Sequence, residues 1–240
     1  MNKIFNQDCF DVFDKLKEKS IDLVVVDVPF GITNCEWDTK IDINRMWIDL
    51  KRICTKKCIY AFFCTTKFGV DLINSNPRWF KYDLIFEKSL AVGFLNANRC
   101  PLRKHEMIYI FANPAGREKV YNPQKTKGKP YTATRKSAEI YGDIVNLETV
   151  NTGDRFPTSI LKFPHDKLKM HQTQKPVKLY EWLIKTYSNK DDTVLDFCAG
   201  SMTCAIACMN VNRNYICIEK DKNIFEKGKS RIDEKITASM

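Results

Sequence analysis

Short apolar runs alternate with stretches of helical periodicity along most of the chain. The apolar runs predict strands at 3–6, 21–27, 57–63, 82–87, 106–111, 193–196 and 215–219. Between them, apolar positions at three- and four-residue spacing predict helices near 9–17, 43–53, 67–74, 177–187, 203–209 and 223–236. Strand and helix in repeated alternation predict an α/β chain with a largely parallel sheet covered by helices. Between 113 and 170 the pattern breaks. Prolines stand at 114, 123, 130, 157 and 164, and no period is sustained. So long an irregular stretch inside a domain is unusual unless it is functional, so 113–170 is read as an insertion carrying a partner-binding surface.

A length of 240 residues with 44% hydrophobic residues suffices for one substantial core, which excludes a small disulfide scaffold and wholesale disorder. The net charge of +10 is unevenly placed: from residue 99 to 136 ten basic residues face only Glu106 and Glu118. A charge run is ordinarily a solvated face, but this one is interleaved with Tyr121 and Tyr131 and fits a polyanion surface better. The longest purely aliphatic run, from Leu23 to Val26, is far too short for a membrane helix, and the N-terminus has no signal-peptide layout. A cytoplasmic or DNA-associated protein is expected. The ten cysteines contain no C-x-x-C pair, so reduced core thiols are expected rather than zinc ligands or disulfides. Cys204 and Cys208, four apart in an apolar stretch, read as helix packing.

Three segments carry candidate chemistry. The first strand-end sequence, Asp27-Val28-Pro29-Phe30-Gly31, sets an acid where ligands of open α/β sheets bind. Asp before Pro is also an ordinary turn, but the spacing lets a carboxylate accept a hydrogen from an exocyclic amine while an aromatic stacks on the ring bearing it. Pro29 pushes Val28 toward an extended conformation, offering its carbonyl as a second acceptor. The second segment runs Asp196-Phe197-Cys198-Ala199-Gly200-Ser201-Met202-Thr203, a strand end, a small-residue turn and a helix start. Glu219 ends the next strand, nineteen residues after Gly200. A glycine turn and then a strand-end acid is an arrangement that binds a nucleoside. A dinucleotide site would want glycines at 202 and 205, so a nucleoside without a pyrophosphate fits better. The third segment, His171-Gln172-Thr173-Gln174-Lys175-Pro176-Val177, opens a helix, whose start can offer donors to a carboxylate.

In order, these segments resemble the S-adenosylmethionine-dependent amino-methyltransferases of DNA, in the permuted β-class where the catalytic motif precedes the cofactor motif. Asp27 to Phe30 is similar to the family's D-P-P-Y, Asp196 to Thr203 to its D-x-x-x-G-S-G-T turn, and His171 to Pro176 to its H-P-T-Q-K-P segment. The resemblance implies a Rossmann-like methyltransferase fold, a mostly parallel seven-stranded sheet with helices on both faces, forming one domain over 1–240 with target recognition in 113–170. It implies catalysis by Asp27, Val28, Pro29 and Phe30, S-adenosylmethionine held by Asp8, Lys175, Asp196, Phe197, Gly200, Ser201 and Glu219, and no metal. Lys175 is expected near the methionine carboxylate and Glu219 on the ribose; Asp8 reads equally as a helix cap. DNA contacts are expected from Arg99, Arg103, Lys104, Lys125, Lys127, Lys129, Arg135 and Lys136. The implied partners are double-stranded DNA, a second copy in a homodimer and a cognate restriction endonuclease. Adenine N6 is the expected target, since cytosine-N4 members more often carry serine where this chain has Asp27. The alternatives are cytosine N4, an RNA adenine, or a degenerate methyltransferase fold that binds DNA without catalysis.

Three positions depart from the family pattern. Val28 replaces a proline whose carbonyl is the part used, Phe30 keeps the stacking face of tyrosine without its hydroxyl, and Met202 replaces a glycine. Met202 is expected to project where the turn passes close to the cofactor and to weaken its binding.

Overall fold

The structure is a computed structural model that describes residues 2–31, 40–116, 119–135, 147–166 and 174–238. Two compact units emerge, one formed by 1–122 with 159–240 and one by 123–158.

The larger unit is built on an eight-stranded sheet. Its elements in chain order are β1 (Lys3–Phe5), α1 (Cys9–Phe13), β2 (Ile21–Asp27), α2 (Ile43–Ile53), β3 (Cys54–Cys64), α3 (Thr66–Ser75), β4 (Phe80–Val92) and β5 (Arg103–Ala112). After the smaller unit's four strands come β10 (Ile160–Lys162), α4 (Val177–Tyr187), β11 (Thr193–Asp196), α5 (Thr203–Asn210), β12 (Asn214–Ile218) and α6 (Lys222–Thr237). The strand order is β1-β12-β11-β2-β3-β5-β4-β10, and β5 alone runs against the others. The count exceeds the expected seven because β10 adds a three-residue parallel edge beside β4.

Side chains alternate across β2. Leu23 and Val25 enter a core with α4, α5 and α6, whereas Val24 and Val26 enter the opposite core with α1, α2 and α3. Burial on both faces is why the strand reads as an unbroken apolar run. Helix α2 shows the same logic. Met46, Trp47, Leu50 and Ile53 recur at helical spacing and are buried, and the Asp42 carboxylate caps the start by accepting from the Asn44 and Arg45 amides.

The chain leaves β2 toward β3 and leaves β11 toward β12, so the crossovers diverge between β11 and β2. Asp27 and Asp196 end these adjacent parallel strands, at the switch point where open α/β sheets bind ligands.

Among its described residues the smaller unit is β: β6 (Thr126–Lys127) pairs with β9 (Asp154–Arg155), and β7 (Tyr131–Arg135) with β8 (Leu147–Asn151), both antiparallel. Arg155 ties it together, donating to Asn151 Oδ1 and the Lys129 carbonyl while its guanidinium lies 4.8 Å from the Tyr131 ring centre. The irregular stretch expected at 113–170 is thus narrower as a separate unit, and it carries two strand pairs, one of two-residue and one of five-residue strands.

Among the described residues no helix is long and apolar enough to cross a membrane. Cys54, Cys58, Cys64, Cys204, Cys208 and Cys217 are buried free thiols, and Cys100 is exposed; Cys35 lies outside the described residues.

Candidate active site

Four charges line up from the end of β2 across to the β4–β5 pair. Lys175 Nζ lies 2.5 Å from Asp27 Oδ2 and 3.1 Å from Glu106 Oε2, and the Lys88 ammonium lies 3.2 Å from Glu106 Oε1. The Lys175 ammonium also sits 5.2 Å from the Phe63 ring centre. Burial alone would push this lysine toward neutrality. Asp27 and Glu106 reverse the effect and raise its pKa above the ordinary lysine value. Burial likewise opposes the charge on Glu106, and Lys175 with Lys88 more than offsets it, so its carboxyl is held below the usual range. Lys175, expected on the cofactor side, is therefore engaged with the catalytic candidate. Glu106 and Lys88 were not among the expected site residues, although His105-Glu106 resembles a segment found between the two sites in family members.

The start of α4 is fixed from a distance. Pro176 offers no side-chain cap; instead Asp166 accepts from the Val177 amide at 3.2 Å and from Gln174 Nε2 at 3.0 Å. Arg231 on α6 reaches Asp166 at 3.5 Å and also donates to the Ser201 carbonyl at 2.9 Å and Thr203 Oγ1 at 3.1 Å. One guanidinium thus joins the segment bearing Lys175 to the glycine turn. His171, Gln172 and Thr173 lie outside the described residues.

At the turn, Gly200 adopts φ +51°, and a Cβ there would meet no atom within 4 Å, so this side of the turn is open. Glu219 organises the turn with both oxygens, accepting from the Gly200 amide and the Asp221 amide at 2.8 Å each. Burial raises its pKa. Asp196 is almost wholly enclosed. It accepts from the Cys198 amide at 3.2 Å, and burial, reinforced by the nearby Asp27 and Glu219 charges, pushes its carboxyl up to about 8. Asp8 caps α1 through the Phe10 amide and pairs with Lys220 at 3.1 Å. Against the cost of burial, these partners lower its pKa. The Phe197 ring belongs to the core, edge-on to Phe13 at 5.3 Å, and Ser201 is buried with its hydroxyl 3.3 Å from that of Thr203.

Met202 corrects an expectation. It adopts the left-handed conformation, φ +59°, which explains why glycine suits this position. Its side chain is fully buried in the core, against Gly228 of α6. Gly228 makes room for it: a Cβ there would come within 2.6 Å of Met202 Cγ. The methionine therefore lends no support to a degenerate site. Gly228→Ala should cost about 1–3 kcal/mol of stability by overpacking. Thermal melting should show a smaller cost in a Met202→Ala background; an equal cost in both would mean that the methionine is not the obstacle.

Of the other candidates, Val28 is buried on the α1–α3 side, and the half-buried Phe30 ring lies 5.1 Å from Phe68 at a 44° tilt. Arg99 is exposed, Arg103 donates to the His105 carbonyl, and Lys104 pairs with Glu87 at 3.2 Å. In the smaller unit, Lys127 pairs with Asp154 at 2.6 Å, Lys125 lies 4.6 Å from the Phe156 ring centre, and Lys129 is exposed. Arg135 ends β7, and Lys136 falls outside the described residues.

An α/β sheet with one antiparallel strand, strand-end acids and a glycine turn at its switch point defines a protein of the Rossmann-like methyltransferase fold. The chain belongs to the N6/N4 DNA methylase family, whose sequence profile matches residues 21–230. It is thus a DNA amino-methyltransferase by family. Among curated relatives it is 28% identical to the type II methyltransferase M1.MboII of Moraxella bovis, with 90% of each chain covered. It is 24% identical to M.HpaI of Haemophilus parainfluenzae, with 91% of this chain and 70% of the relative covered. The fold is shared with the M1.HpyAVI–SAM complex, at a TM-score of 0.64 and 24% identity over 96% of this chain and all of the other. It is shared also with the cytosine-N4-specific PvuII DNA methyltransferase, at 0.69 and 14% identity over 99% and 90%.

Proposed function

We propose that this protein moves a methyl group from S-adenosylmethionine to the N6 amino group of an adenine at a defined site in duplex DNA. The observation that carries the reading is the Asp27 carboxylate, held by Lys175 at the carboxyl end of β2 beside Asp196. The exocyclic nitrogen is a poor nucleophile because its lone pair is delocalised into the ring. By accepting its hydrogens, Asp27 and the Val28 carbonyl orient that lone pair out of the ring plane, and the proton lost as the N–C bond forms leaves through the Asp27 side. Phe30, following the stiff Pro29, stacks on the base after it is turned out of the helix. Lys175 holds Asp27 in place.

S-adenosylmethionine, when bound, supplies an electrophilic methyl on a sulfonium. The residues present fit it: Gly200 leaves its side of the turn open, and Asp8, Asp196 and Glu219 suit a ligand with cationic groups and ribose hydroxyls. Phe197 and Ser201 shape the turn from within. The unit at 123–158 with its lysines is the candidate target-recognition surface, and a homodimer and a partner endonuclease remain part of the proposal. Incubation with methyl-labelled cofactor and unmethylated plasmid DNA, then hydrolysis, should yield N6-methyladenine. N4-methylcytosine would move the target to cytosine, transfer to RNA alone would change the polymer, and no transfer would overturn the reading.

Cofactor binding should depend on pH. Because the Asp196 carboxyl titrates near 8 rather than at its ordinary 3.8, the fold favours its neutral form, and the ligand-free protein loses stability as pH rises between these values. A cation bound beside Asp196 favours the carboxylate. Affinity should therefore rise toward pH 8 with release of up to about one proton per cofactor. Calorimetry in two buffers of different ionisation enthalpy measures that proton, and an enthalpy independent of buffer at pH 7 would remove Asp196 from contact with the cation.

A further inference from the structure

Strands β4 and β5 continue as a two-stranded ribbon past the carboxyl edge of the sheet. Asp27 pairs with Phe63, Phe63 with Ile108 and Ile108 with Leu84, so Leu84 is level with the reactive carboxylate. Strand β4 runs eight residues further, to Val92, while β5 spans only the five from Ile108 to Arg103, with a register shift between Glu87 and Val92, so the ribbon reaches about 17 Å at strand rise. The root of the ribbon is the site itself, where Glu106 binds Lys175.

The tip is ordered and apolar. Gly93 turns the chain at φ +89°, and main-chain bonds from Asn96, Ala97, Arg99 and Cys100 close a short 3₁₀ segment. Phe94 and Leu95 are 76% and 84% exposed, with Leu90, Val92 and Leu102 also exposed behind them. Between Glu87 and Glu106 the chain carries Lys88, Arg99, Arg103 and Lys104 and no acid. Lys88 and Lys104 are taken up by Glu106 and Glu87 at the root, which leaves the two arginines as the cations near the tip. A second copy of the same surface would bring like charges together, whereas a nucleic-acid duplex offers phosphates outside and apolar base faces and methyls within. The major groove is about 12 Å wide and admits a two-stranded ribbon.

We propose that the β4–β5 ribbon is a duplex-gripping arm. It lies in a groove beside the target base, with Arg99 and Arg103 on phosphates and the Phe94–Leu95 tip against the base pairs. This rests on the reading of the protein as a DNA methyltransferase; Arg99 and Arg103 were already expected on DNA, and the arm adds the apolar tip and its seat in a groove. Apolar contact and phosphate contact predict different signatures, because only the latter releases counterions.

The test measures binding of a fluorescein-labelled 30-base-pair duplex and of its single strand, across a salt series, by anisotropy. The double variant Phe94→Ser with Leu95→Ser should bind duplex about tenfold more weakly with an unchanged salt slope, and bind single strand within about twofold of the parent. Arg99→Gln with Arg103→Gln should make the slope shallower by up to about 1.8, or 0.9 for each contact. Melting curves and cofactor titration check that both variants fold. Parent-like duplex binding by the apolar variant, or equal loss on duplex and single strand, overturns the arm. So does a parent dimer that the apolar variant dissociates, which would give the tip to a second copy. Methyl transfer by the parent is scored separately. A parent that shows these binding signatures but transfers no methyl sinks the enzymatic reading and leaves the arm standing, and an active parent with unaffected variants sinks the arm alone.

Discussion

Asp27→Asn should slow methyl transfer about 10²- to 10⁴-fold, the range for losing a positioned proton acceptor, with cofactor affinity close to the parent's. Asparagine is preferred to alanine here. Lys175 is buried against Asp27 at 2.5 Å, and alanine would leave that ammonium with Glu106 alone, mixing a folding defect into the rate. The amide oxygen of asparagine can still accept from Lys175 Nζ, so melting should change little, but the carboxylate that accepts the hydrogens of the amine is gone. Single-turnover rates, melting and cofactor titration on one preparation separate these effects. A folded, cofactor-binding Asp27→Asn protein that methylates DNA at near the parent rate would remove Asp27 from the mechanism and with it most of the case for the proposed reaction.

Lys175→Met should destabilise the protein by about 3 kcal/mol, the lower end for stripping one partner from buried charges, because the two carboxylates it leaves are each about a quarter exposed. The sign with pH follows from the shifts. The raised lysine pKa means that its contribution is complete below 10.5 and lost only as pH climbs through the folded value. The lowered Glu106 pKa means that its contribution is present above 4.5 and lost as pH falls through the folded value. Lys175 and Glu106 are therefore both charged at any ordinary assay pH. Without Lys175 a positive charge is gone from beside Asp27, and losing a nearby opposite charge favours the protonated form of a carboxylate. The acid limb of the rate–pH profile should move upward, with activity partly recovered at high pH. A loss of rate that is equal at every pH would show that Lys175 does not act through the charge of Asp27.

Much of the scaffold was legible in the chain. The bounds of β2, α2, α4 and β11 coincide with those expected, β2 and β11 as apolar runs ending in an acid and α2 and α4 as runs of helical spacing. The acid at the end of β2 and the glycine turn after β11 were legible for a related reason: a parallel strand buried on both faces leaves only its end for chemistry. Strands β6, β9 and β10, two or three residues long, fell below the length at which a period exists, hence the count of seven strands for eight; β7 and β8, five residues each, were also missed because their sequences YTATR and LETVN carry few apolar residues.

What a sequence determines by itself is set by neighbours within a few residues: periodicity, caps, turns and the type of group at a strand end. Which distant groups meet was decided by the tertiary structure alone. Lys175 closes on Asp27 from 148 residues away, and Arg231 joins Asp166 to the glycine turn. The direction of the Met202 side chain depended on a glycine on another helix, since its own left-handed backbone says where glycine is favoured but not which cavity the side chain fills. Charge pairing and side-chain direction are properties of packed surfaces, and those surfaces exist only once the strands have taken their order in the sheet.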